Sequence, residues 1–225
     1  MIDSYLNFKA PKENAYSLKS GHRLVLSTNP HDSITVMVIF CRQEYGPIPA
    51  NGVVVDIGAN IGMFSLYAAI NGARKVYAFE PNRKSFEILC KNIEVNKFTD
   101  IIIPFNEGVS DTDGKIIYLP EDSSPYNVAT QAMKTDNVPV ETVSLTSILN
   151  DRVKEKVDLL KIDCEGAEYE ILYSTGKQVF DTIGAIRMEH HKRPEKAALL
   201  KFLGTQGFAL THEQNMILWL ARTGA

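Results

Sequence analysis

The chain has 225 residues, 44% hydrophobic and 23% charged, which is an ordinary composition for a globular protein. Its 24 Lys and Arg against 27 Asp and Glu give a formal net charge of −3. That balance argues against a dedicated nucleic-acid or membrane-surface protein, since those proteins usually carry a basic stripe. No apolar run approaches the ~18 residues of a transmembrane helix. The N-terminus is charged where a signal peptide would be apolar, so we expect neither feature.

The three cysteines are Cys41, Cys90 and Cys164. They lie too far apart for a disulfide framework or a zinc knuckle. We therefore expect reduced thiols in a cytoplasmic protein.

The first 50 residues are predicted to form an N-terminal arm and a β-hairpin that pack on a main domain of residues 51–225. Residues 1–20 are polar and mixed and predict a short helix or an ordered arm. Leu24 and Leu26, and then residues 34–40, show alternation with period two, and a turn-forming stretch links them. This pattern predicts two strands of a hairpin, the second covering residues 34–40. A breaker-rich link over residues 46–52 then leads into the main domain.

From residue 53 onward, short apolar runs alternate with helical periodicity. This order predicts an α/β fold, a doubly wound and mostly parallel sheet with right-handed crossovers. Strands are predicted over 53–55, 75–79, 101–105, 157–162 and 183–188, a local hairpin strand over 115–119, and a final antiparallel pair over 208–210 and 216–220. Helices are predicted over 63–70, 82–95, 145–149, 167–173 and 195–203. Residues 121–137 form a long irregular segment, which we expect to cover the open face of the site together with the N-terminal arm.

The loop after the first of these strands carries the strongest signal. Asp56 ends the strand, and a Gly-x-Asn-x-Gly sequence opens the next helix. A dinucleotide fingerprint fails here, because Asn60 and Met63 stand where its second and third glycines would be. A carboxylate at the strand end suits a cationic group, such as the ammonium of S-adenosylmethionine, better than a pyrophosphate. The alternative is a plain strand-to-helix turn. The predicted cofactor-binding residues of this loop are Asp56, Gly58, Ala59, Asn60 and Gly62.

Two further strand ends extend the predicted cofactor site. Glu80, followed by Pro81, ends the second strand, where an ionised carboxylate can accept hydrogen bonds from two ribose hydroxyls. The alternative is a carboxylate favoured by the dipole of the following helix. Asn106 or Glu107, after the third strand, can accept from the adenine amino group; the alternative there is a solvated turn.

Four segments together resemble the FkbM family of S-adenosylmethionine-dependent methyltransferases. They are Val-Asp-Ile-Gly-Ala-Asn-Ile-Gly (55–62), Ala-Phe-Glu-Pro (78–81), Asp-Leu-Leu-Lys-Ile-Asp-Cys-Glu-Gly-Ala-Glu (158–168) and Met-Glu-His-His (188–191). The first two occur in many methyltransferases, and the segment from Lys161 to Glu168 is the family-specific one. The resemblance spans roughly residues 50–220, with a mild departure at Cys164, where the family usually has an aliphatic residue.

The resemblance implies a class I fold, with a seven-stranded sheet that contains one antiparallel strand. It also implies S-adenosylmethionine as the methyl donor and, typically, methylation of a hydroxyl oxygen on a small molecule or glycan. Members of the family act on diverse acceptors, so the resemblance does not identify the substrate.

The acceptor side is predicted at the ends of the fourth and fifth strands. By resemblance, Asp163 sits where related methyltransferases place a catalytic or cofactor-contacting polar residue. Along the next strand, alternation turns Glu189 and His191 to one side and His190 to the other. A histidine is a natural general base for a hydroxyl, because its usual pKa lies near the working pH. We therefore predict Asp163, Glu189, His190 and His191 as the catalytic set, with Glu189 or Glu165 orienting the base and one histidine silent.

Several alternatives remain open around this set. Glu168 either caps the following helix or serves the site, and Lys161 is either a buried ion-pair partner or a strand-edge charge. Carboxylates with a histidine can hold a divalent metal, but no fixed ligand spacing such as His-x-x-x-His is present, and we predict no metal.

Two other functions compete with this assignment. Residues 72–80 also look like those of tRNA-modifying enzymes, but the acidic balance and the lack of an Asn-Pro-Pro-Tyr segment after the fourth strand disfavour nucleic acid. A non-catalytic binding module is disfavoured by the intact set of Asp56, Glu80 and Asp163. The expected partner is a small-molecule or glycan acceptor and not a membrane. The oligomeric state is not indicated.

Overall fold

The computed structural model describes residues 9, 14–121, 137–191 and 194–224. Most of the predicted N-terminal arm and the interior of the predicted covering segment, residues 122–136, lie outside these residues. The strands are β1 (Ala15–Ser17), β2 (Arg23–Val25), β3 (Val53–Ile57), β4 (Lys75–Phe79), β5 (Ile102–Phe105), β6 (Gly108–Ser110), β7 (Ile116–Pro120), β8 (Asn137–Ser144), β9 (Leu159–Ile162), β10 (Ala185–Glu189), β11 (Phe208–Gln214) and β12 (Ile217–Arg222). The helices are α1 (His31–Val36), α2 (Met63–Ile70), α3 (Arg83–Val95), α4 (Leu145–Ser147), α5 (Glu168–Ser174), α6 (Lys177–Phe180) and α7 (Lys196–Thr205), and π-helical turns at Met37–Cys41 and Ile148–Val153 continue α1 and α4.

The central sheet has seven strands in the order β11-β12-β10-β9-β3-β4-β5. Strands β10, β9, β3, β4 and β5 pair in parallel, and β12 runs antiparallel to both of its neighbours. Every residue of β3 is buried, as expected for a strand covered by helices on both faces. The predicted fold, a mostly parallel seven-stranded sheet with one antiparallel strand, is confirmed.

The register of the parallel strands brings their carboxyl ends to one edge of the sheet. Ile57 of β3 pairs with Phe79 of β4 and with Ile162 of β9, and Ile162 pairs in turn with Met188 of β10. The loop after each of these strands therefore begins at the same level. This alignment gathers the predicted site residues, which follow strands far apart in the chain.

An N-terminal antiparallel hairpin is present, formed by β1 and β2. The side-chain amide of Asn92 in α3 anchors it, accepting from the Val25 N–H at 2.7 Å and donating to the Val25 carbonyl at 2.8 Å. The predicted second strand over residues 34–40 is wrong, because this segment is helical. Val36 and Ile39 are buried three residues apart and pack beside α2, so helical spacing prevails over the apparent alternation.

A small sheet of three strands, in the order β6-β8-β7, lies between β5 and α4 in the sequence. Strand β7 matches the predicted strand at 115–119, but its partner is β8, to which it runs antiparallel. Strand β6 pairs with β8 in parallel. This arrangement was not anticipated from the sequence. No helix among the described residues is long and apolar enough to cross a membrane.

Candidate active site

The loop between β3 and α2 is held tightly against the neighbouring strand ends. The N–H groups of Gly58 and Ala59 both donate to the Phe79 carbonyl at 3.0 Å. Gly58 has φ +75°, and a Cβ on it would lie 1.8 Å from the Asp163 carbonyl oxygen. Only glycine fits such a close backbone approach at a positive φ. Gly58 is therefore required where the loop packs on the end of β9.

Glu80 directly follows β4, beside the β3–α2 loop, and is 7% exposed. Its two carboxyl oxygens accept separately from the N–H of Asn60, at 2.7 Å, and the N–H of Asn82, at 2.8 Å. Burial raises the pKa of Glu80 to about 7, although these two hydrogen bonds act in the opposite direction. Each oxygen keeps a further lone pair for a hydroxyl donor. Beside it, the side-chain oxygen of Asn60 is buried without a hydrogen-bond partner in the described part of the chain.

Asp56 is fully buried behind the loop. Its carboxylate accepts from the Ser65 hydroxyl at 2.6 Å and lies 3.0 Å from the Lys161 ammonium, which donates to the Gly58 carbonyl at 2.7 Å. Burial lowers the pKa of Lys161, but the charges of Asp56 and Asp163 outweigh burial and raise it. Lys161 is thus the buried ion-pair partner. The structure places Asp56 where it supports the loop through Lys161, not where it faces the cleft.

His191 stands between carboxylates. Its Nε2 lies 3.3 Å from Glu165 and 3.9 Å from Glu189, and its Nδ1 lies 3.2 Å from Glu168. Burial lowers the pKa of His191, but Glu165 and Glu168 outweigh this effect and raise it to about 11. His191 is therefore an imidazolium at neutral pH, with no lone pair free to accept a proton.

Glu168 contacts both the turn that precedes α5 and His191. It stands in the first turn of α5, and its carboxylate accepts from the N–H of Cys164 at 2.9 Å and of Gly166 at 3.0 Å. Burial alone would raise its pKa, but the contact with His191 leaves the pKa lowered. The fully buried Glu168 carboxylate thus shapes the turn after Asp163 and orients His191.

Asp163 and Glu189 form a carboxyl pair at the ends of β9 and β10. Burial, and then the charge of Asp163, raise the pKa of Glu189 to about 8. On the other side, the Tyr45 hydroxyl donates to Asp163 Oδ2 at 2.7 Å. A carboxyl oxygen of each residue lies within 4.8 Å of the other. The charge of Asp163 therefore disfavours ionisation of Glu189.

The remaining predicted site residues lie outside this cluster. His190 points to the other side of β10, as alternation predicts, and its Nε2 lies 3.8 Å from Glu213. The Asn106 amide donates to the carbonyls of Glu80, at 2.8 Å, and Pro81, at 3.1 Å, which braces the end of β4. Glu107 forms an ion pair with Arg152 at 2.7 Å.

Two cavities flank the strand edge. One, of about 340 Å³, is lined by the β3–α2 loop, Lys161, Asp163, Glu165 and Glu189 and by residues 34–45, including Tyr45. The other, of about 1050 Å³, is lined by Pro81, Asn106 and Glu107 and by the three-stranded sheet. Sequence patterns missed the contribution of Tyr45 and α1. No motif surrounds Tyr45, and the alternation in the apolar run before it predicts a strand where the structure has a helix.

Asp163, Glu189 and His191 also offer ligand atoms that all lie within 4.8 Å of one another, which a metal ion could use. However, both ring nitrogens of His191 already face carboxylates. We therefore interpret these groups as an ion-pair network, and the predicted lack of a metal stays a prediction.

Comparisons with known proteins agree on the class of protein. Residues 56–224 match the family described as the methyltransferase FkbM domain. The chain is 28% identical over 203 residues to the methyltransferase sdnD of Sordaria araneosa, covering 74% of this chain and 77% of that protein. It is 28% identical over 123 residues to the hexuronic acid methyltransferase AglP of Haloferax volcanii, covering 53% of this chain and 48% of that protein.

Among solved structures, a Methanocaldococcus jannaschii tRNA m1G37 methyltransferase is similar to this chain, with a TM-score of 0.51 and 16% sequence identity. The similarity covers 96% of this chain and 59% of that chain. At this level of identity, the likeness concerns the fold alone.

Proposed function

Because the chain belongs to the FkbM methyltransferase domain family, we propose that it methylates a hydroxyl oxygen on a small molecule or glycan. The observation that carries this proposal is the carboxyl pair of Asp163 and Glu189, which lies in the same cavity as the β3–α2 loop. Such a pair can take up the proton that a hydroxyl must lose.

The cofactor is S-adenosylmethionine, which when bound supplies an electrophilic methyl group on a sulfonium. The residues present fit this group. Glu80 would hold the ribose hydroxyls, because each of its carboxyl oxygens retains a free lone pair. The unpartnered side-chain oxygen of Asn60 offers an acceptor to a donor group in the cleft.

The carboxyl pair is the favoured base. A hydroxyl is a weak nucleophile until its proton is removed, and one well-placed base typically contributes about 10²–10⁴-fold to a rate. His191 is cationic and its two nitrogens face Glu165 and Glu168, so it balances the negative charge instead of accepting the proton. His190 lies away from the cleft. The proton of the acceptor therefore passes to the pair of Asp163 and Glu189.

The charge of the cavity supports a neutral acceptor over a polyanionic one. Four carboxyl groups line it, those of Glu44, Asp163, Glu165 and Glu189. Glu189, with its pKa raised to about 8, keeps its proton near neutrality, so three negative charges face the two cations Arg42 and Lys161. Phosphate groups would be repelled here. The relative named a hexuronic acid methyltransferase supports a sugar as the acceptor class.

Transfer of a labelled methyl group tests this function. The full chain is incubated with methyl-labelled S-adenosylmethionine and either a pool of neutral oligosaccharides or unfractionated tRNA. We expect label in the sugar pool, lowered about 10²–10⁴-fold by Asp163→Asn and unchanged by Asp181→Asn, an aspartate half exposed at the surface. Label in tRNA contradicts the proposal. Label in neither pool also contradicts it, if the same protein binds S-adenosylhomocysteine in a separate titration.

A further inference from the structure

Tyr45 reaches the carboxyl pair from outside the matched family domain, which begins at residue 56. Its side chain is 3% exposed and its hydroxyl donates to Asp163 Oδ2 at 2.7 Å. The ring packs against Phe64, with centroids 5.3 Å apart, and the Lys161 ammonium lies 5.7 Å from the ring centroid. The tyrosine is thus enclosed on the side of the cavity that faces the β9 end.

We propose that Tyr45 is a positioning residue that fixes Asp163 as the charged member of the pair and keeps the shared proton on Glu189. The N-terminal segment would then be part of the acceptor site. This inference rests on the proposed function, for which the pair is the proton acceptor.

The backbone on both sides of Tyr45 is fixed by contacts with β12 and the turn before it. The Glu44 carbonyl accepts from the Trp219 indole N–H at 2.8 Å, and the Glu44 carboxylate accepts from Asn215 at 2.7 Å. Gly46 has φ +73°, and a Cβ there would lie 2.4 Å from the Trp219 ring. These contacts fix the backbone from which the Tyr45 hydroxyl reaches Asp163.

The donors around the pair are arranged unequally. Asp163 receives the Tyr45 hydroxyl at 2.7 Å and has the Lys161 ammonium at 3.8 Å. The cation nearest Glu189 in the described residues is His191, at 3.9 Å, and its imidazolium is closer to Glu165. Donors stabilise the ionised form of the carboxyl that they contact. The negative charge therefore belongs on Asp163 and the proton on Glu189.

Tyr45 itself stays a donor. Burial, followed by the charges of Asp163 and Glu189, raises its pKa well above the usual value, so the phenol keeps its proton across the working pH range. The titratable groups that face the pair and Tyr45 are Asp56, Lys161, Cys164, Glu165 and His191.

The test is an NMR pH titration of the full chain labelled with ¹³C at the Asp and Glu carboxyls, assigned with Asp163→Asn and Glu189→Gln. In the wild-type protein, a step near pH 8 should appear mainly on Glu189. Tyr45→Phe, which removes one hydroxyl, should move that step upward by about one pH unit and make Asp163 share it. The matched control is Tyr77→Phe, since Tyr77 is also buried but its hydroxyl donates to Glu155 at 3.4 Å. It should leave the step in place.

A second measurement needs no variant that could fail to fold. In the wild-type protein, the ¹³Cζ signal of Tyr45 should shift with the same midpoint as the Glu189 carboxyl. A step that is the same in both tyrosine variants, or a Tyr45 signal that does not change while Glu189 titrates, would overturn the inference. Calorimetry with S-adenosylhomocysteine distinguishes failure of this inference from failure of the proposed function. Absence of binding to the wild-type protein refutes the proposed function but leaves the titration of the carboxyl pair unchanged.

Discussion

Acidic side chains at strand ends occupy three different electrostatic environments in this site. Asp56 is neutralised by Lys161 at 3.0 Å. Glu80 is buried and receives two backbone N–H groups, and Glu189 is buried beside another carboxyl. The sequence places these three carboxyl groups near the ends of β3, β4 and β10. The protonation of each one depends on neighbours that come from distant parts of the chain. Glu80 and Glu189 should therefore affect different pH-dependent properties of the protein, namely cofactor affinity and folding stability.

We expect Glu80 to make cofactor binding dependent on pH. Its pKa is raised to about 7 by burial, and ribose hydroxyls would bind the ionised form. Affinity for S-adenosylhomocysteine should be constant above pH 8 and fall toward tenfold per unit as the pH drops below about 7. Calorimetry across this range measures it. Glu80→Gln should remove the dependence, and Glu87→Gln, at a largely exposed carboxylate, should preserve it. The same profile in both variants contradicts this role for Glu80.

Glu189 should make folding stability decrease as the pH rises. Its pKa is raised from 4.5 to about 8, so the folded protein binds more protons than the unfolded chain between these values. This contribution to stability is fully present below pH 4.5 and is lost as the pH rises through about 8. The free energy of unfolding of the wild-type protein, relative to Glu189→Gln, should therefore decrease from pH 5 to pH 9. Denaturant titrations at several pH values measure it, and an unchanged or increasing difference would show that Glu189 is ionised throughout.

At the level of elements, the sequence correctly predicts those helices and strands that local sequence patterns determine. Strand β3 and the turn after it could be predicted from consecutive residues. A continuous apolar run indicates burial on both faces, and Gly58 and Gly62 indicate a tight turn. The helical segment at residues 34–41 was mistaken for a strand, since a short apolar run fits either period and packing beside α2 decides between them. The three-stranded sheet escaped prediction because β6 and β7 both pair with β8, across the long segment after residue 121.

The close contact between the β3–α2 loop and the β9 end makes Gly58 sensitive to substitution. Gly58→Ala would place a Cβ against the Asp163 backbone, which cannot move as a flexible side chain can. Gly72→Ala is the matched control, because Gly72 also has a positive φ, of +93°, but nothing lies within 4 Å of an added Cβ. The control should cost about 1–2 kcal/mol of unfolding free energy, and Gly58→Ala about 1–3 kcal/mol more. Chemical denaturation measures both, and equal losses would show that the loop does not pack on β9 as described.

At the level of the whole molecule, both cavities lie at one edge of the sheet. The larger is lined by Pro81 and Asn106, which follow β4 and β5, and the smaller by Asp163, which follows β9. A ligand with an adenosine end and a methionine end would extend along this edge. Residues of α1 and Tyr45, which lie outside the matched family domain, also line the smaller cavity.

The most direct test is calorimetric titration of S-adenosylhomocysteine into the wild-type protein and into Glu80→Ala. We predict a single saturable site in the wild-type protein and no binding of NAD. In Glu80→Ala, affinity should be weaker by about 1–3 kcal/mol, because the hydroxyl donors lose a charged acceptor. Absence of binding in the wild-type protein, or equal affinity in the two proteins, would contradict a cofactor site at this strand edge.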